Sequence, residues 1–270
     1  MKPEIKVRLL FSVMLMLGVT LVTMMGITFV KQFSSASFRT WDMYQMAAAI
    51  LLNLMILFTF IRIGWRMVRQ SIMSYKWMRH FRCNIHEALT RHLQDKYRSW
   101  GIEMIVTQDD DFVALTIGML RSKIVVSSGL FSRFDEQEIE AILLHERFHL
   151  SNRDNFKLFI MTLCTEGFGY LPTIRVIFRY FEIWKELLAD RFAIKQMGTE
   201  YYLGRVLFKL TAAGGIQKSE VGVHFAEAAM SYRIMQVLEP EKKIQVPMAI
   251  VRPMLLFGLL LIFFTISGSS

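Results

Sequence analysis

Cysteine is nearly missing from this sequence: 270 residues hold two, Cys83 and Cys164. Two are too few for a disulfide framework, and their spacing matches no metal-binding pattern, so the chain fits a reducing, cytosolic face. Acidic side chains are outnumbered, 23 against 32 basic ones, for a net charge of +9. The basic residues flank apolar runs and do not interleave with aromatics in a separate domain. That speaks against direct nucleic-acid binding and for topology signals and contact with anionic lipid. Charge is absent altogether from residues 9–30 and 43–61. No small-x-small cleavage site follows the first run, which is also long for a signal peptide, so both runs read as transmembrane helices. What is abundant agrees with this: 53% of residues are hydrophobic and the mean hydropathy is positive, too apolar for an ordinary soluble domain.

Lys2, Lys6 and Arg8 precede the first span, and Arg62, Arg66, Arg69, Lys76, Arg79 and Arg82 follow the second. Both clusters lie on one side of a hairpin, and the positive-inside rule makes that side cytoplasmic. Residues 1–66 are therefore expected to form a transmembrane hairpin and 67–251 a cytosolic domain. Residues 252–270, uncharged after Arg252, are expected to form a third span. Within the domain, 71–100 reads as helix ended by Gly101, and 102–106, 112–117 and 123–127 read as strands, with Ser128-Gly129 turning the last. Asp109, Asp110 and Asp111 form a turn that lacks the Gly and terminal Glu of a calcium loop. His80, His86 and His92, six residues apart, cannot share a helix face and read as surface residues. Residues 201–211 and 225–238 read as further helices. The 19 methionines sit mostly in apolar runs and read as filler.

Asp135 with Glu138 has the pattern of a capping box that opens a helix. That helix carries His145-Glu146-Arg147-Phe148-His149. Two histidines four apart leave one helix face about 40° apart and can share a metal, while the intervening Glu can reach a water on that metal. Charged flanks on both sides keep this helix out of hydrocarbon. The extended pattern with a glycine and a third histidine fails, because Asn152 and Asn155 stand at those places. Downstream, Glu182, Glu186 and Asp190 recur every four residues. They are open to two readings, a solvated acidic face paired with Lys185 and Arg191, or a source of the third ligand.

Taken together, Gly118, Lys123-Ile124-Val125-Val126-Ser127, Gly129-Leu130, Asp135, Glu138, Ala141-Ile142-Leu143, His145-Glu146, His149, Arg153-Asp154, Glu186 and Ala189-Asp190 resemble the membrane metallopeptidase domain of bacterial BlaR/MecR-type sensor-transducers. More distantly they are similar to the HtpX and CAAX-prenyl endopeptidase group. The resemblance covers about residues 113–193. It implies one Zn2+ per chain held by His145, His149 and Glu186, with Glu146 as the catalytic base and Asp190 orienting a ligand histidine. Arg121 stands where the family often has proline, and no penicillin-binding sensor domain is present in the 270 residues, so peptidase chemistry carries over and antibiotic sensing does not. A separate sensor partner stays open.

A metal shared by His149 and Glu186 constrains the apolar stretch 158–184. One crossing would part the ligands, and two crossings need about 40 residues plus a turn, so this stretch is expected to be a bent helical hairpin. His224 and Arg233 are candidates to stabilise an oxyanion. The strand Lys123, Ile124, Val125, Val126, Ser127 is the candidate sheet edge for an extended substrate. The expected fold is thus three membrane helices with a mainly helical, gluzincin-like α+β domain carrying a small sheet. The expected activity is zinc-dependent endoproteolysis of a protein substrate, a transcriptional regulator or a membrane protein, at the cytoplasmic face of the bacterial cell membrane. The alternative is a signalling scaffold that keeps the metal site without turnover. It is disfavoured because no fourth protein ligand closes the site. A transporter is disfavoured because no repeats accompany the three spans.

Overall fold

The computed structural model describes residues 3–34, 42–119, 121–212, 223–240, 244 and 246, with the side chains of 31–34, 45 and 223–228 outside the description. The expected third span, 252–270, lies outside the described residues. The helices and strands, in chain order, are α1 (Pro3–Ser34), α2 (Met43–Cys83), α3 (Glu87–Lys96), β1 (Met104–Thr107), β2 (Ala114–Ile117), β3 (Lys123–Ser127), α4 (Ser128–Arg133), α5 (Glu136–Ser151), α6 (Asp154–Phe168), α7 (Pro172–Met197), α8 (Tyr201–Ala212) and α9 (Val223–Leu238). They group into two units, one built on residues 8–71 and 159–178, the other on described residues of 3–7, 72–158 and 179–246.

The described residues of the first unit are mostly apolar helix. Pro3–Val30 and Met46–Cys83 are long and apolar enough to cross a membrane, and only 17% and 11% of their most apolar windows are buried. Rows of outward side chains such as Met16, Val19, Leu51, Leu54 and Phe58 suit lipid better than water. No proline interrupts α2, so the second apolar run and the basic stretch behind it continue as one 41-residue helix. That differs from the separate helix expected from residue 71. The break comes instead at Asn84, and His86 caps α3, its Nδ1 accepting from the Leu89 N–H.

Residues 159–178, part of the stretch expected to pack on the domain or dip into the membrane interface, group with these helices. Small residues make the close approach: a Cβ on Gly18 would lie 2.8 Å from Cys164 Sγ, and one on Gly167 would lie 2.7 Å from Ile63 Cδ1. Arg62 pairs with Glu166 there. The segment is a helical hairpin, with α6 ending at Phe168 and Pro172 opening α7. Proline suits that first helical position because its missing N–H is not needed there. Its two short arms are too few residues for two crossings.

The second unit carries the sheet, in the order β1-β3-β2. β3 pairs parallel with β1 and antiparallel with β2. The strand expected to offer a free edge to substrate is therefore the central one. Both its ladders are occupied, and Ile124, Val125 and Val126 are fully buried. The expectation is corrected accordingly: a run that apolar is buried on both sides. β2 begins two residues later than the sequence suggests, at Ala114. Ser128-Gly129 is not a turn but the start of α4. Gly129 is required there because a Cβ would lie 2.3 Å from the Asp110 carbonyl oxygen. The triple-Asp loop serves this packing, Gly129 N–H donating to Asp109 O at 2.8 Å.

α5 lies across the sheet. Its capping box is formed, Glu138 N–H donating to Asp135 Oδ1 and Asp135 N–H to Glu138 Oε2, both at 2.8 Å. Glu138 is wholly buried yet paired with Arg205 at 3.1 Å and Lys209 at 2.6 Å, which ties the start of α5 to α8. Ile139, Ile142 and Leu143 join the core with β1, β3 and α4, and Ala141 and Leu144 pack with Leu203 and Leu207 of α8. With two sides anchored, the remaining face of α5 carries His145, Glu146 and His149.

Candidate metal centre

His145 and His149 follow each other by one helical turn, and their Nε2 atoms lie 3.1 Å apart. Glu186, delivered by α7, places Oε2 3.3 Å from His145 Nε2 and Oε1 3.8 Å from His149 Nε2. Among the described residues this is the His/Cys/Asp/Glu group whose donor atoms converge as metal ligands do. A tetrahedral zinc with bonds of 2.0–2.2 Å separates its ligand atoms by about 3.3 Å. The triangle, 3.1 to 3.8 Å on a side, is therefore of the size a tetrahedral metal site needs, and two imidazoles with one carboxylate are a donor set compatible with zinc.

The backs of both imidazoles are held. His149 Nδ1–H donates to Asp154 Oδ2 at 2.8 Å, and His145 Nδ1 lies 2.8 Å from Asp190 Oδ1. With each Nδ1 turned to a carboxylate, both Nε2 atoms face the same point, and only a proton or a metal cation can sit between them. Arg233 of α9 in turn grips Asp190 with two hydrogen bonds, Nε to Oδ2 at 2.7 Å and Nη2 to Oδ1 at 2.8 Å, and its Nη1 reaches 3.4 Å from Glu186 Oε2. Lys185 Nζ lies 2.8 Å from the other oxygen of Glu186.

These contacts decide the electrostatics. Burial pushes the Glu186 carboxyl up, but Lys185 and the two histidines outweigh it and hold it well below its ordinary range. Burial likewise raises Asp190, and Arg233 and His145 overcome it, so Asp190 stays ionised. Burial pulls His149 down, while its bonds to Asp154 and Glu186 lift it to about 9 in the metal-free protein. His145 is raised by the same contest, with Asp190 and Glu186 prevailing over burial.

A cavity of about 330 Å³ opens over this centre, lined by Glu146, Ala114, Leu115, Thr116 and Arg233 among others. The expected acidic row splits: Glu186 lines the cavity and Asp190 lies behind it in contact with His145, while Glu182 is not in the lining. Arg233, named beside His224 as an oxyanion candidate, has two nitrogens engaged by Asp190. His224 is the second residue of α9, but its side chain is outside the description.

Over residues 13–237 the chain matches the family model described as BlaR1 peptidase M56. It belongs to that family. No curated protein matches the chain. Membership in the M56 peptidases agrees with the resemblance carried by the motifs, and peptidase chemistry of the metal-dependent kind accords with the donor set.

Three residues at the M56 centre had been given no role at the metal from sequence. Asp154 stands five residues after His149, where a continuing helix would carry it to another face. Asn152 and Arg153 break the helix, Arg153 with a left-handed φ of 53°, and this link turns Asp154 back onto the histidine. The break leaves no periodic signal, although Arg153-Asp154 is part of the family pattern. Lys185 neighbours a ligand in sequence and could have been suspected. Thr116 is thirty positions from Glu146 and carries no motif of its own.

Proposed function

We propose that this protein is a zinc-dependent endopeptidase of the bacterial cell membrane, with its gluzincin-like centre at the cytoplasmic face and a protein as substrate. The observation that carries the reading is the convergence of His145, His149 and Glu186 on one point next to Glu146, in a cavity with room for a peptide. One zinc per chain would be held by those three residues, Asp190 and Asp154 orienting the histidines. Bound there, zinc would polarise the scissile carbonyl and make water more acidic. Glu146 takes the proton of the attacking water and delivers it to the leaving amine nitrogen. Lys185 and the two histidines keep Glu186 ionised, and Ala141, Leu144 and the β-sheet hold the helix that presents the base.

The substrate lies extended along β2. Val113 O accepts from Ser127 N–H, and by alternation Leu115 and Ile117 face β3. Ala114 and Thr116 therefore turn their backbone groups outward; the Thr116 carbonyl is taken by Asn155, and the Thr116 N–H with the backbone groups of Ala114 are where a peptide can add a strand. Three membrane spans, residues 252–270 forming the last, anchor the enzyme, and the substrate is a regulator or a membrane protein held near the bilayer. The test is metal content and cleavage in the detergent-purified protein. About one zinc per chain is expected, lost in Glu186→Gln and kept in Glu182→Gln, and Glu146→Gln is expected to keep zinc and lose cleavage. A folded wild-type protein that takes up no zinc sinks the reading, as does a Glu146→Gln variant that cleaves normally.

A further inference from the structure

We infer that Thr116 is the residue that positions the Glu146 carboxylate, so that the strand on which the peptide docks also sets the base. The inference rests on the peptidase reading and deepens it. Thr116 Oγ1 lies 2.9 Å from Glu146 Oε2 and 3.0 Å from the Glu146 carbonyl oxygen. A threonine hydroxyl has one proton to give, and both acceptors belong to the same residue. The hydroxyl therefore folds the carboxylate back beside its own backbone and selects one side-chain rotamer. Among the described residues, Thr116 supplies the hydrogen bond that this carboxylate receives.

A positioning residue must itself be fixed, and Thr116 is. It is β-branched, hence stiff at χ1, and it stands opposite Ile124 in the β2–β3 ladder, between Leu115 and Ile117, whose backbone groups face β3. Its carbonyl accepts from Asn155 Nδ2 at 2.6 Å, and the same amide reaches Gly118 O at 3.2 Å. Asn155 directly follows Asp154. Two consecutive residues at the start of α6 thus hold the two halves of the centre, Asp154 orienting the His149 imidazole and Asn155 pinning the strand whose hydroxyl sets Glu146. The outward N–H of Thr116 lies on the open edge of β2, so a peptide pairing there presses on the residue that holds the base. A base left to other rotamers forfeits part of the roughly 10²–10⁴-fold that general-base catalysis contributes.

The experiment compares wild type, Thr116→Val, Thr116→Ser and Glu146→Gln in the full-length, zinc-loaded protein in detergent. Zinc content is read first and is expected to be equal in all four. Acetohydroxamate is then titrated by calorimetry, because it binds zinc and offers a proton to the neighbouring carboxylate. Thr116→Val is expected to weaken it about tenfold, Glu146→Gln at least as much, and Thr116→Ser less than threefold. On a fluorogenic peptide chosen from a library by the wild-type enzyme, Thr116→Val is expected to lower kcat about 10- to 100-fold with KM little changed, and Thr116→Ser to recover it. If Glu146→Gln weakens the probe but Thr116→Val does not, or if Thr116→Ser behaves as Thr116→Val, the positioning role is overturned and the peptidase reading survives. If wild type binds no zinc, both fall.

Discussion

Replacing Arg233 by methionine tests how the centre is held together. The guanidinium makes two hydrogen bonds to Asp190, at 2.7 and 2.8 Å, and Asp190 is fully buried. It is also the charged part of a latch between α9 and α7, one turn ahead of Gln236, whose amide donates to the Leu187 carbonyl at 3.0 Å. Methionine keeps most of the stem and removes the charge, leaving a buried carboxylate facing His145 alone. Stranding one member of a buried pair costs about 3–5 kcal/mol. Burial raises the Asp190 carboxyl and Arg233 and His145 hold it down. A depressed carboxyl contributes stability above its unfolded pKa, near 3.9, and loses it as pH falls through the folded value. Measurement at neutral pH therefore sees the full effect. Urea unfolding in detergent is expected to show the loss in Arg233→Met. The double variant with Asp190→Asn is expected to lose less than the sum of the singles, because the uncharged amide needs no counter-ion. Zinc affinity is expected to fall about 10- to 100-fold in the single variant, as for other groups that orient a ligand histidine. Stability within about 1 kcal/mol of wild type together with unchanged zinc affinity would refute the reasoning, since such a buried pair cannot be cut without consequence.

Two further outcomes follow from the same contacts. His149, lifted to about 9 without metal, gives the metal-free fold a contribution fully present below its unfolded pKa near 6.5 and lost as pH rises through 9. Zinc must expel that proton, so its apparent affinity is expected to climb about tenfold per pH unit from 7 toward 9, and calorimetry in buffers of different ionisation heat checks it; a flat profile would show that His149 is neutral. Gly129→Ala would set a Cβ 2.3 Å from a backbone oxygen. It is expected to cost about 1–3 kcal/mol in urea unfolding, whereas an unchanged midpoint would mean that the Asp109–Asp111 loop yields freely.

The local features were legible because their physics is local. The capping box, the helix it opens and the pair of histidines one turn apart depend on residues within about fifteen positions of one another, and the apolar runs announce themselves by composition. The helical hairpin at 158–184 was legible for a different reason: chain length and a shared metal left no other path. Less legible were the limits of α2, where no proline marks the change from apolar to basic and the helix runs on through Gly64, and the role of Lys123–Ser127. The strongest strand signal in the chain marks a strand buried on both edges, so the same apolarity that made it visible made it unfit to receive a peptide.

By itself, then, the sequence determined the kind of chemistry and the residues of one helix that bear it. It also marked the two stretches that form helices long and apolar enough to cross a membrane. Tertiary structure decided everything that depends on which side chains meet across the fold. It brought Glu186 of α7 beneath the histidines, turned Asp154 back by a left-handed residue at position 153, set Arg233 of α9 behind Asp190, and left β2 as the open edge with Thr116 against Glu146. Those partners lie thirty or more positions apart or across a helix break. Periodicity constrains only neighbours on one element, and the packing of separate elements selects the rest.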